Sequence, residues 1–179
     1  MRHVKVDRRV VAIGVLVLVA CGETFGDAFT QARPSARSQV LGAWELESRT
    51  VRAASGDVLL DPVLGKQPLG RLFYDTSGHM MLQMMRQDRA QAISVPASPK
   101  DANNPRVVLG YDSYFGTFQV NAPGGTITHH VEGSLFPEDL GKDFARRFTV
   151  DQDTFTLSFT SKSGDGTDVT RTLRFRRLK

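Results

Sequence analysis

The tightest constraint on the fold of this 179-residue chain is the stretch Tyr111 to Pro137, YDSYFGTFQVNAPGGTITHHVEGSLFP. Two runs rich in β-branched and aromatic residues flank the turn cluster Ala122-Pro123-Gly124-Gly125, the pattern of a β-hairpin. With those four residues as the loop, Asn121 faces Thr126, Phe118 faces His129 and Thr117 faces His130. Side chains alternate along a strand. One hairpin face therefore carries Tyr114, Gly116, Phe118, Val120, Ile127, His129 and Val131, and the other Ser113, Phe115, Thr117, Gln119, Thr128, His130 and Glu132. The first face is the more apolar and is expected to meet a core, which turns His129 inward and His130 outward. A one-residue slip or a bulge would reverse the two.

The flanking sequence repeats this theme. Strands are expected from Leu41 to about Arg52, Val58 to Leu60, Leu69 to Tyr74, His79 to Met85, Phe144 to Val150, Thr154 to Thr160 and Asp168 to Arg177. Turn signals separate them at Ser55-Gly56-Asp57, Asp75-Thr76-Ser77-Gly78, Asp151-Gln152-Asp153 and Ser163-Gly164-Asp165-Gly166. Residues 86–108 form a long polar connection with Pro96, Pro99 and Pro105, a candidate lid. Short turns and no convincing amphipathic helix point to an all-β meander, a single antiparallel up-and-down β-barrel over residues 40–179.

Upstream of the barrel the chain reads as a leader and a tether. Arg2, Lys5, Arg8 and Arg9 precede the apolar run Val10 to Ala20, the pattern of an export signal. That run is short for a membrane span, which takes about 20 apolar residues. It ends in Leu18-Val19-Ala20-Cys21, which resembles the lipobox of bacterial lipoproteins; the resemblance makes Cys21 the lipid anchor and the cell envelope the location. Stable anchoring of that kind takes more than one acyl chain. Residues 22–39 are Gly-, Pro- and Ser-containing and read as a flexible tether. The four basic residues against Asp7 carry +3 of the formal net charge of +4 and leave +1 for the rest, so charge makes no case for a nucleic-acid partner. With Cys21 as the sole cysteine, neither an internal disulfide nor a cysteine-based metal site is open to the chain.

The candidate site residues follow from phase. Arg146 alternates with Phe144 and Phe148, so it should point inward with Tyr114 and His129. Such a cluster inside an apolar cup could orient a ligand carboxylate or carbonyl, or could simply satisfy itself as a structural network. Phe118, Phe155, Leu157, Phe159 and Met84 would supply apolar walls, Met84 as part of a methionine-rich strand suited to varied apolar guests. The expected partner is a small hydrophobic or amphipathic molecule, and the motifs indicate no cofactor or metal. An alternative is an enzyme with His129, or the same-face pair His130 and Glu132, moving a proton. A third is a structural or partner-binding module with no ligand. Ser134 has no nucleophile elbow before it, and no phosphate-binding glycine loop is present.

Several blocks in order are similar to the bacterial and fungal lipocalin-like domain family of the calycin group. They are Gly42-Ala43-Trp44, Tyr74 with Gly78, Met85-Arg86 with Asp88-Arg89, Tyr114-Phe115-Gly116-Thr117-Phe118, His129 through Pro137, and Arg146-Arg147-Phe148. The resemblance spans about residue 40 to the end and implies a β-barrel around a small-molecule pocket; for the proton-moving alternative it implies isomerase- or cyclase-like chemistry. It also implies a basic side chain stacked on the Trp44 indole, with Arg174 or Arg176 as the candidates.

Overall fold

The computed structural model describes residues 34–89, 110–163 and 166–179. The leader with Cys21, the tether up to residue 33 and the connection from residue 90 to 109 lie outside the described residues. Within them, a five-residue helix α1 (Ala36–Val40) is followed by β1 (Gly42–Ala53), β2 (Val58–Leu59), β3 (Leu69–Tyr74), β4 (His79–Met85), β5 (Tyr111–Asn121), β6 (Thr126–Ser134), a 3-10 turn (Pro137–Asp139), β7 (Asp143–Asp151), β8 (Thr154–Lys162) and β9 (Asp168–Arg177). Every pairing is antiparallel between sequence neighbours, except that β2 adds to the far end of β1 and lets β3 pair with its near end. β9 then pairs with β1 from Trp44 to Ala53, closing eight strands into a barrel. Closure removes the exposed edges of an open sheet.

The β5–β6 hairpin has the register its turn dictates: Asn121 opposite Thr126, Phe118 opposite His129, Thr117 opposite His130. Ile127, His129 and Val131 are buried, and His130 is exposed. Two strands carry an extra residue. The β1–β9 register steps between Leu46 and Ser48, leaving Glu47 unpaired in the ladder. The β5–β6 register steps between Phe115 and Gly116, where Glu132 is the extra residue. At the second step the backbones crowd so closely that a Cβ on Gly116 would lie 1.9 Å from the His130 carbonyl oxygen. Only glycine fits there.

The interior divides by height. At the end carrying the short turns after β3, β5 and β7, it is filled by Trp44, Leu72, Phe155, Leu157, Leu173 and Phe175, all essentially without solvent contact. The Trp44 and Phe155 rings are 5.2 Å apart and Phe155 also meets Tyr74, Phe148 and Phe175. Full burial of side chains this size is worth about 1.5–3 kcal/mol each, so this half anchors the fold.

The same end is capped by α1, which covers residues 36–39 of the stretch read from sequence as tether. Ser35 caps the helix by accepting from the Ser38 N–H, and Val40 is buried. Trp44 Nε1 donates to the Val40 carbonyl at 2.8 Å. The basic residue over the indole is Arg177, with its guanidinium 4.0 Å from the ring centroid. Arg174 and Arg176 point outward and pair with Glu47 and Glu45. The reason is phase: Arg177 alternates with Leu173 and Phe175, which face in, and the other two do not.

Candidate functional site

Four inward residues from four strands form one polar chain through the barrel. Tyr74 on β3 lies 2.7 Å from His129 Nε2, and Tyr114 on β5 lies 2.8 Å from His129 Nδ1. Arg146 on β7 donates from Nη2 to the Tyr114 hydroxyl at 3.2 Å. Burial pushes both phenols above their ordinary range, Tyr74 strongly. Burial, and then the Arg146 charge, push His129 well below the ordinary histidine value of 6.5, so its ring is neutral. Both imidazole nitrogens are within hydrogen-bond distance of a phenol.

Above this chain, at the end carrying the longer connections, is a cavity of 480 Å³. That size falls within the range of small-molecule sites. Tyr114, Phe144, Arg146 and Phe159 form the wall nearest the packed half, and Arg49, Asp61, Leu64, Asp112 and Arg171 contribute further around. The Arg146 guanidinium is 3.8 Å from the Phe159 ring centroid and 5.2 Å from that of Phe144, a cation lying over two aromatic rings. Among the described residues no carboxylate forms an ion pair with it, and its Nε has no hydrogen-bond partner. Arg49 is paired with Asp61, which also accepts from the Val63 and Leu64 N–H groups and so folds the β1–β3 connection over the barrel end. Burial lowers Arg49 below its ordinary value, with Asp61 opposing the shift. Burial also raises Asp112 above the ordinary carboxyl range, against the pull of Arg49 and Arg146.

The structure thus brings Tyr114, His129 and Arg146 together as their phase predicts, but only part of the expected set reaches the cavity. Tyr114, Arg146 and Phe159 line it. His129 sits beneath Tyr114. Phe118, Phe155, Leu157 and Met84 are buried in the core cluster and are not among its lining residues; Phe118 and Phe155 pack on Tyr74, and Phe155 also on Trp44. The pair His130 and Glu132 lies on the outer surface: both are exposed, and His130 Nδ1 bonds Asp143 at 2.8 Å, not Glu132.

Sequence reasoning missed Tyr74, Arg49, Asp112 and Arg171. For Arg49 the cause is the extra residue Glu47. Strict alternation from Trp44 and Leu46 sends position 49 outward, and the bulge turns it in. Arg171 carried a readable signal, since it shares the phase of Leu173 and Phe175.

A closed antiparallel barrel, solid at one end and hollow at the other, with aromatic and cationic groups around the hollow, is the architecture of a small-molecule-binding barrel. The chain belongs to the lipocalin-like domain family, whose model matches residues 41–178. A comparison with curated protein sequences finds no match.

Proposed function

We propose that this protein is an exported envelope lipoprotein, anchored through Cys21, that binds a small, mostly apolar molecule carrying one acidic or carbonyl group in the hollow end of its barrel. One observation carries the binding reading. Among the described residues, the buried side-chain polar atoms without a hydrogen-bond partner are Arg49 Nε, Arg146 Nε and Ser161 Oγ, and all three residues line the same cavity. Buried polar groups are ordinarily satisfied, and a cluster of unsatisfied ones around a hollow marks a place where a guest completes the bonding. Phe136, Phe144 and Phe159 supply the apolar contact for its body.

Native mass spectrometry of the full chain against envelope lipid extract and hydrophobic metabolites, with displacement of a fluorescent apolar probe, tests this. A stoichiometric adduct lost in Arg146→Met supports the reading. No adduct and no displaceable probe would refute it. Intact mass of membrane-extracted protein tests the anchor, with acyl groups on Cys21 expected.

A further inference from the structure

The buried polar chain carries more hydrogens than it can use. Three junctions link four groups: Arg146 to Tyr114, Tyr114 to His129, and His129 to Tyr74. Each group brings one hydrogen to these contacts: the arginine N–H, two phenol O–H groups and the single N–H of a neutral imidazole. Four hydrogens meet three junctions, so one phenol hydrogen is left over. Which phenol holds it depends on the histidine tautomer. With the proton on Nε2, Tyr114 donates to Nδ1, Nε2 donates to Tyr74, and the Tyr74 hydrogen is stranded. With the proton on Nδ1, Tyr74 donates to Nε2, Tyr114 accepts from both Nδ1 and Arg146, and its own hydrogen is free.

The two placements are not equal. Tyr74 is buried in the packed half against Phe118 and Phe155, and among the described residues its hydroxyl has no other hydrogen-bond partner. A donor stranded there bears its full desolvation cost. Tyr114 lines the cavity, where an acceptor can reach it. Beside it, Arg146 is a buried cation with no carboxylate partner among the described residues and an unpartnered Nε. Such a charge is costly unless an anion joins it.

We propose that His129 is held as its Nδ1–H tautomer, so that Tyr114 turns its O–H into the cavity beside Arg146 and the two take the carboxylate of an amphipathic acid. This rests on the binding reading above and narrows its head group from acid or carbonyl to acid. His129 is a positioning residue: it fixes the direction of the Tyr114 hydrogen without touching the guest. Asp112 is the wall charge that opposes a second carboxylate, and its removal should strengthen binding.

The test uses the full chain and two scaffolds, dodecyl and naphthyl, each presented as carboxylate, methyl ester and amine in calorimetric titrations. The carboxylates are expected to bind at least tenfold more tightly than their esters and amines. Arg146→Met and Tyr114→Phe should each lose more than fivefold of carboxylate affinity while ester affinity stays level, which also shows that the cavity is intact. Asp112→Asn should tighten carboxylate binding severalfold. Nitrogen-15 NMR of the imidazole should show Nδ1 protonated and Nε2 bare. Equal binding of acid and ester, or tighter binding of the amine, would overturn the head-group assignment and leave the carrier reading standing. Binding of none of the six would overturn both, and a protonated Nε2 would overturn the tautomer.

Discussion

Arg177 spreads its guanidinium 4.0 Å above the Trp44 ring while its two terminal nitrogens donate to the backbone carbonyls of Leu41 and Gln39, at 2.7 and 2.6 Å. One side chain near the C-terminus thereby clamps the first strand and the end of α1 over the filled half of the barrel. Loss of the stack and both bonds in Arg177→Met should cost about 2 kcal/mol. Arg177→Lys should recover little, since an ammonium cannot fork to two carbonyls while lying flat on an indole. Trp44 is the only tryptophan, so urea unfolding followed by its fluorescence reads the effect directly.

His129 ties stability to pH. Its folded-state pKa lies below the ordinary value of 6.5, so below that pH the unfolded chain takes up a proton that the folded chain refuses. The stabilisation is complete above about pH 6.5 and falls as pH drops toward the folded value, with a slope of up to about 1.4 kcal/mol per pH unit. Urea midpoints at pH 7.5, 6.0 and 5.0 should show the decline. His129→Gln should flatten it, and should cost about 3 kcal/mol at pH 7.5 by disturbing two buried phenol contacts.

Asp112 works in the opposite direction. Burial holds its carboxyl above the ordinary range, so as pH rises past the unfolded value the unfolded chain loses its proton first. The group therefore costs stability near neutral pH, and Asp112→Asn should raise the urea midpoint at pH 7 while leaving it unchanged at pH 3.

Gly116→Ala places a methyl group 1.9 Å from the His130 carbonyl oxygen and 2.9 Å from the Glu132 nitrogen. Neither is the loose end of a side chain, so the bulge itself must move. A loss of more than about 3 kcal/mol is expected, read as a fall in thermal midpoint or as insoluble expression.

His130→Ala and Glu132→Ala should leave cavity binding untouched and shift stability by no more than about 0.5 kcal/mol, because both side chains stand in solvent outside the barrel wall. Loss of ligand affinity in either variant would show that the outer face contributes to the site.

The hairpin was legible because two short-range signals agree there: a turn cluster that fixes the register and an alternation that fixes the faces. The inward turn of His129 and Arg146 followed from the same alternation. Tyr74 escaped because it meets His129 across 55 residues of sequence, and nothing local marks the pairing. Arg49 escaped because phase is carried along a strand only until an extra residue resets it, and Glu47 leaves no compositional sign. The division of the interior into a filled and a hollow half was beyond alternation altogether. Alternation says that Phe155, Leu157 and Phe159 face in, but not that two are buried in the core and the third is left on a wall.

The two inserted glutamates have a geometric consequence. β1 and β6 stand four strands apart in a ring of eight, on opposite walls, and each gains its surplus residue at the level where packing gives way to the void. Each insertion bends its strand. The two kinks act along one diameter of the tube and leave the perpendicular diameter to regular strands, so deleting either surplus glutamate should alter the barrel's cross-section along that diameter first.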